Sequence, residues 1–169
     1  MGKPNVSLNA IDNFFAQKRI AFVGMPRERS RETSLLFDLL EEFSRRGYDV
    51  MPVNPKAAEI LGRRCFSRVQ DIQPAPDAAL LLTSPAVTNT VVRDCTEAGI
   101  KYIWMYRGGG QGAVTPEAVE FCRSHGMEVI PGQCPFMFLQ PVRSFHRFHR
   151  FLFKIMGNYP KHTKVAQIF

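Results

Sequence analysis

Residues 47–56 read GYDVMPVNPK, and this stretch decides the fold. It predicts a short apolar strand that ends abruptly at Asn54, because Pro55 holds the preceding residue in extended backbone and turns the chain out of a sheet. An earlier apolar run at 19–24 ends in a similar way at Gly24. Open α/β sheets bind nucleotides at the carboxyl ends of adjacent parallel strands. The two strand ends therefore predict one shared nucleotide site.

Strands and helices are expected to alternate along the rest of the chain. Further runs rich in Val, Ile, Leu or aromatic residues predict strands at 48–53, 77–82, 101–105 and 127–130. Helices are expected between them at about 31–46, 86–98 and 115–125. This order, with short connections, predicts an α/β fold: a Rossmann-like doubly wound parallel sheet of about five strands, followed by a C-terminal amphipathic helix.

Local signals predict where the helices begin and end. Thr115 and Pro116 suit the N-cap and first turn of the third helix. Glycines stand in C-cap position after all three helices, at Gly47, Gly99 and Gly126. The first helix is expected to bury one apolar face, made of Leu35, Leu36, Leu39, Leu40 and Phe43.

Length and composition favour one domain at 1–140 and a separate tail at 141–169. The chain has 169 residues, of which 45% are hydrophobic, enough for a proper core. It contains no apolar run near the roughly 20 residues that span a bilayer, and its polar start lacks a signal core. Four scattered cysteines without a CxxC pair predict reduced thiols in a cytoplasmic protein.

The tail carries most of the net charge of +7. Residues 1–140 hold 16 Lys or Arg and 15 Asp or Glu, whereas residues 141–169 hold 6 cations and no acid. As a helix, the tail would place Phe145, Phe148, Leu152, Ile155 and Met156 opposite Arg143, Arg147, Arg150 and Lys154. We expect it to pack on the domain or on a homodimer partner. Contact with a membrane surface is the alternative, and no nucleic-acid partner is expected.

The end of the second predicted strand indicates which nucleotide is bound. An NAD enzyme usually carries Asp or Glu there to hold the ribose hydroxyls, but this chain has Asn54 and then Lys56. The pattern predicts a phosphorylated nucleotide other than NAD. NADP stays open, because a cation in this place can hold a 2′-phosphate.

The loop after the first strand is the second candidate for phosphate binding. It contains Gly24, Met25 and Pro26, then Arg27, Arg29 and Arg31 in alternation with Glu28, Ser30 and Glu32. Three arginines before a helix N-terminus form a potential anion site, although the GxGxxG pattern is missing. An exposed charged loop, balanced by its two glutamates, is the alternative interpretation.

Two more strand ends contribute candidate residues. Thr83, Ser84 and Pro85 follow the third strand, where Ser84 or Thr83 is expected to cap the next helix. A glycine-rich loop follows the fourth strand and begins at Tyr106, Arg107 and Gly108. Such a loop lets backbone approach a ligand closely, or it is only a surface turn.

Catalytic signals are weak. Cys134 follows the fifth strand without a neighbouring base, which favours a buried structural thiol. His146 and His149 have helical spacing but no cysteine partner at metal-site spacing, so no metal is predicted. No Ser-His-Asp set or paired carboxylates stand out, and the pattern favours a non-catalytic protein.

In their order along the chain, these residues resemble the CoA-binding domain family, the stand-alone relative of the nucleotide-binding domain of the succinyl-CoA synthetase alpha subunit. The similarity runs from about Arg19 to Met137. It is carried by GYDVMPVNP at 47–55, ILG at 60–62, CFSRVQDI at 65–72, PD at 76–77, Trp104 and Cys134.

The resemblance implies a Rossmann-type domain that holds coenzyme A, or an acyl-CoA, at the carboxyl edge of the sheet. Gly24, Met25, Pro26 and Arg27 would line the phosphates, and Asn54, Pro55 and Lys56 would contact the adenosine portion. Thr83, Ser84 and Pro85 would lie along the ligand, and Tyr106 to Gly108 would close the site. A non-catalytic or regulatory CoA-binding module is the leading expectation. The alternatives are an NADP-binding protein and a subunit of an acyl-CoA ligase that needs a partner ATP-grasp chain.

Overall fold

The computed structural model describes residues 6–108 and 112–139. The amphipathic helix predicted within 141–169 lies outside the described residues, as do its expected contacts with a dimer partner or a membrane. The middle of the glycine-rich loop, residues 109–111, also lies outside them.

The described chain alternates strands with helices. The helices are α1 (Leu8–Ala16), α2 (Ser34–Arg45), α3 (Pro85–Glu97) and α4 (Pro116–Ser124). The strands are β1 (Arg19–Val23), β2 (Asp49–Val53), β3 (Glu59–Ile60), β4 (Arg63–Arg64), β5 (Ala78–Leu81), β6 (Tyr102–Met105) and β7 (Glu128–Pro131). All five predicted strands and the three helices predicted within 1–140 are confirmed, with ends shifted by a few residues.

Five strands form one parallel sheet in the order β2-β1-β5-β6-β7, which confirms the predicted sheet. The last residues of neighbouring strands pair with one another. Val23 pairs with Val53 of β2 and with Leu81 of β5, Leu81 pairs with Met105, and Met105 pairs with Pro131. All five strands therefore end at the same level, and the loops that follow them start from a single row.

The sheet is covered on both faces, as a doubly wound fold requires. Alternate strand residues point to opposite sides, so Phe22 packs with α1 and α2 while Ala21 packs with α3 and α4. The first core also holds Phe14, Phe37, Leu40, Phe43 and Trp104, and the second holds Val92, Cys95, Ala118 and Cys122. All four cysteines are free thiols, as expected.

Helix α1 is an element that the sequence analysis did not predict. It is short, and it buries only Ile11 and Phe14, so its periodic signal is weak. Phe14 meets the indole of Trp104 edge-on, with 5.2 Å between ring centroids. The indole nitrogen of Trp104 donates to the Gln133 carbonyl at 2.8 Å. The buried indole thus has both an aromatic contact and a hydrogen-bond partner in the first core.

Helix α2 begins at Ser34, later than predicted, because hydroxyl groups compete for the preceding backbone. The amide of Ser30 donates to Thr33 Oγ1 at 2.8 Å, and Thr33 Oγ1 donates to the Glu28 carbonyl at 3.0 Å. The predicted apolar face is also corrected. Leu35 is 39% exposed, and Phe37 is buried instead.

The helix caps agree with the local signals in most places. Thr115 Oγ1 accepts from the Ala118 amide at 3.1 Å, and Gly47, Gly99 and Gly126 all have the positive φ of a C-cap glycine. The predicted cap of α3 is wrong. Ser84 stands at the N-cap position but makes no side-chain cap bond. Within the described residues, no helix is long and apolar enough to cross a membrane.

Candidate functional site

The site begins where the chain changes direction across the sheet. β1 and β5 are neighbours, but β1 leads to α2 on one face and β5 leads to α3 on the other. Such a divergence marks the topological switch point at the carboxyl edge, where open α/β sheets bind ligands, and the space outside the ends of β1 and β5 is referred to below as the crevice. Backbone bonds extend the row beyond the strands: Gly24 N donates to Val53 O at 2.9 Å, and Leu82 N donates to Val23 O at 2.8 Å.

Gly24 is packed against the loop after β5. Its φ is +87°, and a Cβ there would lie 2.9 Å from Thr83 Cγ2 and 3.1 Å from the Leu82 carbonyl carbon. A side chain would clash with backbone as well as with Thr83. Glycine therefore lets the loop after β1 pack directly against the loop after β5.

Asn54 bridges the ends of β1 and β2. Its Nδ2 donates to the Met25 carbonyl at 2.8 Å, and its Oδ1 accepts from the Lys56 amide at 2.8 Å. An Asp or Glu could not donate to the carbonyl, which explains an amide in this place. The structure thus uses Asn54 to hold two loops together, while Pro55 and Lys56 are exposed beside it.

The first loop presents a mixture of buried and exposed groups. The Met25 side chain lies wholly in the first core, so only its backbone faces the loop. Pro26 is half-buried, and Arg27 and Arg31 are exposed. Among the described residues, neither arginine has an ion-pair partner, so both charges are directed to solvent or a ligand.

Arg29 is engaged elsewhere. Its guanidinium lies 2.8 Å from both Asp38 and Glu41 of α2, and it stacks over the Phe37 ring at 5.3 Å. The bond to Glu41, more than that to Asp38, raises the pKa of Arg29. The sequence analysis expected Glu28 and Glu32 to offset the loop's arginines. The acids that do so lie on the helix instead.

The loop after β5 supplies hydroxyl groups. Thr83 is buried and lies 2.8 Å from Thr88 Oγ1, which itself donates to the Ser84 carbonyl at 3.0 Å. A hydroxyl has one proton, so Thr83 must be the donor to Thr88. The Ser84 side chain is exposed at the start of α3, and Pro85 occupies the first helical position.

The loop after β6 folds back on itself. Ala113 N donates to Tyr106 O at 2.9 Å, and a Cβ on Gly112 would clash with that same oxygen. Arg107 lies across the end of β7, where its Cδ is 3.7 Å from a Cβ built on Gly132. Gly108 is exposed beside the Tyr106 ring.

The Tyr106 phenol and the Cys134 thiol on this side of the site are neutral at physiological pH, because burial raises the pKa of each. Burial raises the pKa of Tyr106 to about 12, with Cys134 as a second cause. Burial also raises the pKa of the half-buried Cys134 thiol, so it is a weak nucleophile. Among the described residues, no group of three His, Cys, Asp or Glu side chains could hold a metal.

The sequence analysis overlooked two arginines at this edge. β3 and β4 form an antiparallel hairpin, referred to below as the β3–β4 hairpin (residues 59–64), and its second strand is Arg63–Arg64. The available signal was the two-residue turn Leu61-Gly62, where both residues have positive φ, as in a tight hairpin turn. Leucine rarely adopts a positive φ, so the sequence did not indicate a turn at this place.

The comparisons with known proteins agree with this geometry. A family model described as a CoA binding domain matches residues 18–140. An ADP-forming acetate–CoA ligase from Methanocaldococcus jannaschii is 23% identical over 121 residues, which cover 69% of this chain and 17% of the ligase. The chain therefore spans only a small part of that relative. The Bacillus subtilis protein YneT is 26% identical over 117 residues, which cover 69% of this chain and 82% of YneT.

Solved structures show the same division between short and long relatives. A hypothetical protein from Pyrococcus horikoshii superposes with a TM-score of 0.67 at 25% identity, covering 80% of this chain and 94% of that one. A dinucleotide-forming acetyl-coenzyme A synthetase from Ca. Korarchaeum cryptofilum, in complex with phosphate and ADP, superposes with a TM-score of 0.57 at 28% identity. It covers 68% of this chain and 25% of the synthetase chain.

Proposed function

This chain belongs to the CoA binding domain family, and from that premise we propose that it binds coenzyme A or an acyl-CoA at the carboxyl edge of its sheet. The domain is related to parts of the ADP-forming acetate–CoA ligases. We further propose that it works as a non-catalytic or regulatory module.

The observation that carries the proposal is the crevice between β1 and β5. Gly24 lets the loops after β1 and β5 pack together there, and Asn54 ties the neighbouring strand end to the first of these loops. Nucleotide phosphates bind at such a switch point, where a strand end leads into the N-terminus of the following helix. No acid stands at the end of β2 to hold the free ribose hydroxyls of NAD.

The charges around the crevice support an anionic ligand. Arg27, Arg31 and Lys56 are exposed near its rim, and coenzyme A carries several phosphates that such cations would bind. Arg29 would contribute less, because Asp38 and Glu41 already neutralise it. Ser84 and Gly108 would line the remainder of the ligand.

A non-catalytic role is supported by the neutral groups at the same edge. Burial keeps Tyr106 and Cys134 protonated, and a protonated thiol does not attack a thioester efficiently. We therefore expect the protein to bind an acyl-CoA without hydrolysing it, which an assay for free thiol release would check.

Calorimetric titration with CoA, NADP and NAD tests the proposal. We expect CoA to bind more tightly than NADP, and NAD to bind least, because CoA and NADP carry a further phosphate, on a ribose 3′ or 2′ oxygen, which NAD lacks. Preferential NADP binding would make this an NADP-binding protein of the same fold. Failure to bind any of the three would overturn the proposal.

A second candidate is a ligase subunit, which the coverage of the relatives favours. The chain matches only 17% of the Methanocaldococcus ligase, so a separate ATP-grasp chain could supply the remaining functions. Mixing the protein with a candidate ATP-grasp chain from the same genome should then produce ADP-forming acyl-CoA synthesis. Activity that is unchanged when this protein is left out would argue against the subunit role.

A further inference from the structure

The β3–β4 hairpin is fixed to the end of β2 by the residue that follows it. Phe66 N donates to Pro52 O at 2.9 Å, and Asn54 N donates to Phe66 O at 2.9 Å. These bonds place Phe66 beside Val53 in a parallel bridge. The hairpin is therefore held at the carboxyl end of β2, next to the end of β1 that borders the crevice.

Arg64 is held in place by an aromatic ring of this same segment. Its guanidinium carbon lies 4.8 Å from the centroid of the Phe66 ring, within the range of a cation–π contact. Phe66 is hydrogen-bonded to Asn54, so the ring ties the cation to the end of β2. A stacked guanidinium keeps its in-plane N–H groups available for a bidentate phosphate.

The charge of Arg64 is not neutralised by the fold. Glu59 stands opposite Arg64 in the hairpin register, yet within the described residues no ion pair joins them. Two other arginines are neutralised in this way, since Arg68 pairs with Asp94 at 3.0 Å and Arg29 pairs with two acids. Arg64 is exposed and can meet an anionic ligand.

The two arginines of β4 are not equivalent. Arg63 lies directly opposite Ile60 in the register of the hairpin, and the Ile60 side chain is buried in the first core. Arg63 is therefore on the core-facing side of the hairpin. Arg64 is on the opposite side, because successive strand residues alternate. Only Arg64 has the aromatic support of Phe66.

We propose that Arg64 binds the ribose phosphate of the nucleotide and is the residue that distinguishes CoA from 3′-dephospho-CoA. In this class of fold the nucleotide's ribose lies at the end of the second strand, and an arginine nearby accommodates a phosphate on it. Coenzyme A carries that phosphate on the 3′ oxygen. The inference rests on the proposed function, since it assigns one group of the proposed ligand to one side chain.

Calorimetric titration of the full chain with CoA and with 3′-dephospho-CoA tests the inference. We expect Arg64→Ala to lower the affinity for CoA about tenfold or more and to leave the affinity for 3′-dephospho-CoA unchanged. The retained binding of 3′-dephospho-CoA also reports that the variant is folded. If the Ala variant does not fold, Arg64→Gln provides the same measurement, because it keeps a long polar side chain without the charge.

Arg93→Ala is the matched control. Arg93 is also an exposed arginine stacked on a phenylalanine, 4.8 Å from the Phe121 ring centroid. It lies in the second half of α3, which runs away from the carboxyl edge, so its removal should change neither affinity. An equal preference for CoA in wild type and Arg64→Ala would overturn the role of Arg64 and leave CoA binding intact. Wild-type protein that binds neither ligand would overturn the proposed function, and the inference with it.

Discussion

Both the nitrogen and the oxygen of the Asn54 side-chain amide form hydrogen bonds within the protein. The sequence analysis predicted it as a contact for adenosine, and that role stays a prediction. The structure adds a different one, because the Met25 carbonyl and the Lys56 amide are its hydrogen-bond partners. A side chain that joins two loops of the candidate site fixes their relative positions, whether or not it touches a ligand.

The substitution Asn54→Asp separates these two hydrogen bonds. A carboxylate still accepts from the Lys56 amide but cannot donate to the Met25 carbonyl, so we expect a loss of about 1–3 kcal/mol of unfolding free energy at pH 7. The loss should shrink below about pH 4, where the new carboxyl gains a proton it can donate. Urea unfolding at both pH values measures it. Equal stability of wild type and variant at pH 7 would contradict the bridging role.

Alanine substitutions at Gly24 and Gly99 allow the cost of backbone strain to be separated from the cost of a steric clash. Their φ values are +87° and +78°, but a Cβ on Gly99 would meet nothing within 4 Å, whereas one on Gly24 meets Thr83 and Leu82. We expect Gly99→Ala to lower the unfolding free energy by about 1 kcal/mol and Gly24→Ala by about 1–3 kcal/mol more. Urea denaturation measures both. Similar losses in the two variants would mean that the loop after β5 yields to the added methyl group.

At the scale of elements, the helices that start near the crevice differ at their N-termini. α2 is preceded by a turn in which Ser30 and Thr33 hydroxyls bind backbone groups, and α3 follows Ser84, which makes no side-chain cap bond. By contrast, α4 is capped by Thr115. The start of α3 lies next to Thr83, but it offers few free amides, because Pro85 has none and the Val87 amide donates to the Ser84 carbonyl at 3.2 Å.

Helix α2 also carries the ion pairs that give the protein a specific pH dependence. Glu42 lies 2.7 Å from Arg45 and 2.8 Å from Arg46, and the bond to Arg45, more than that to Arg46, lowers the pKa of Glu42 from 4.5 to about 2. A lowered carboxyl pKa stabilises the folded state above the unfolded pKa. That stabilisation is lost as the pH falls through the folded pKa.

We expect Glu42→Gln to lower the unfolding free energy by about 1 kcal/mol at pH 7, as two helix ion pairs of this spacing contribute. The difference from wild type should decline between pH 4.5 and about 2. Thermal unfolding across that range measures it, with Glu120→Gln as the control, an exposed glutamate on α4. A difference that stays constant with pH would show that the ion pairs do not stabilise the fold.

At the scale of the whole molecule, the site depends on the register of the sheet. Because all five strands end at one level, loops that are far apart in sequence start side by side. The change from one face to the other between β1 and β5 then places the crevice at this point of the edge. None of the five strand ends would form the site alone.

The candidate site lies within the residues that the family model matches, and this predicts the effect of removing the tail. A chain that ends at residue 140 should retain its affinity for CoA at about 0.15 M salt, where distant charges are largely screened. Calorimetry on the full and shortened chains measures the affinity, and urea unfolding checks that both are folded. Loss of CoA binding by a folded shortened chain would place part of the site in residues 141–169.

The local patterns of the sequence were sufficient to predict the α/β class, the five parallel strands, three of the helices and the glycine caps. These features depend on apolar periodicity and on the geometry of glycine and proline, which act over a few residues. They did not reveal α1 or the β3–β4 hairpin, whose signals are short or unusual. The tertiary structure alone decided the pairing of Arg29 with α2, the bridge from Asn54 to Met25 and the stacking of Arg64 at the end of β2. Each of these depends on which residues meet once the strands have taken their order, and strand order is a property of the packed sheet rather than of any one segment.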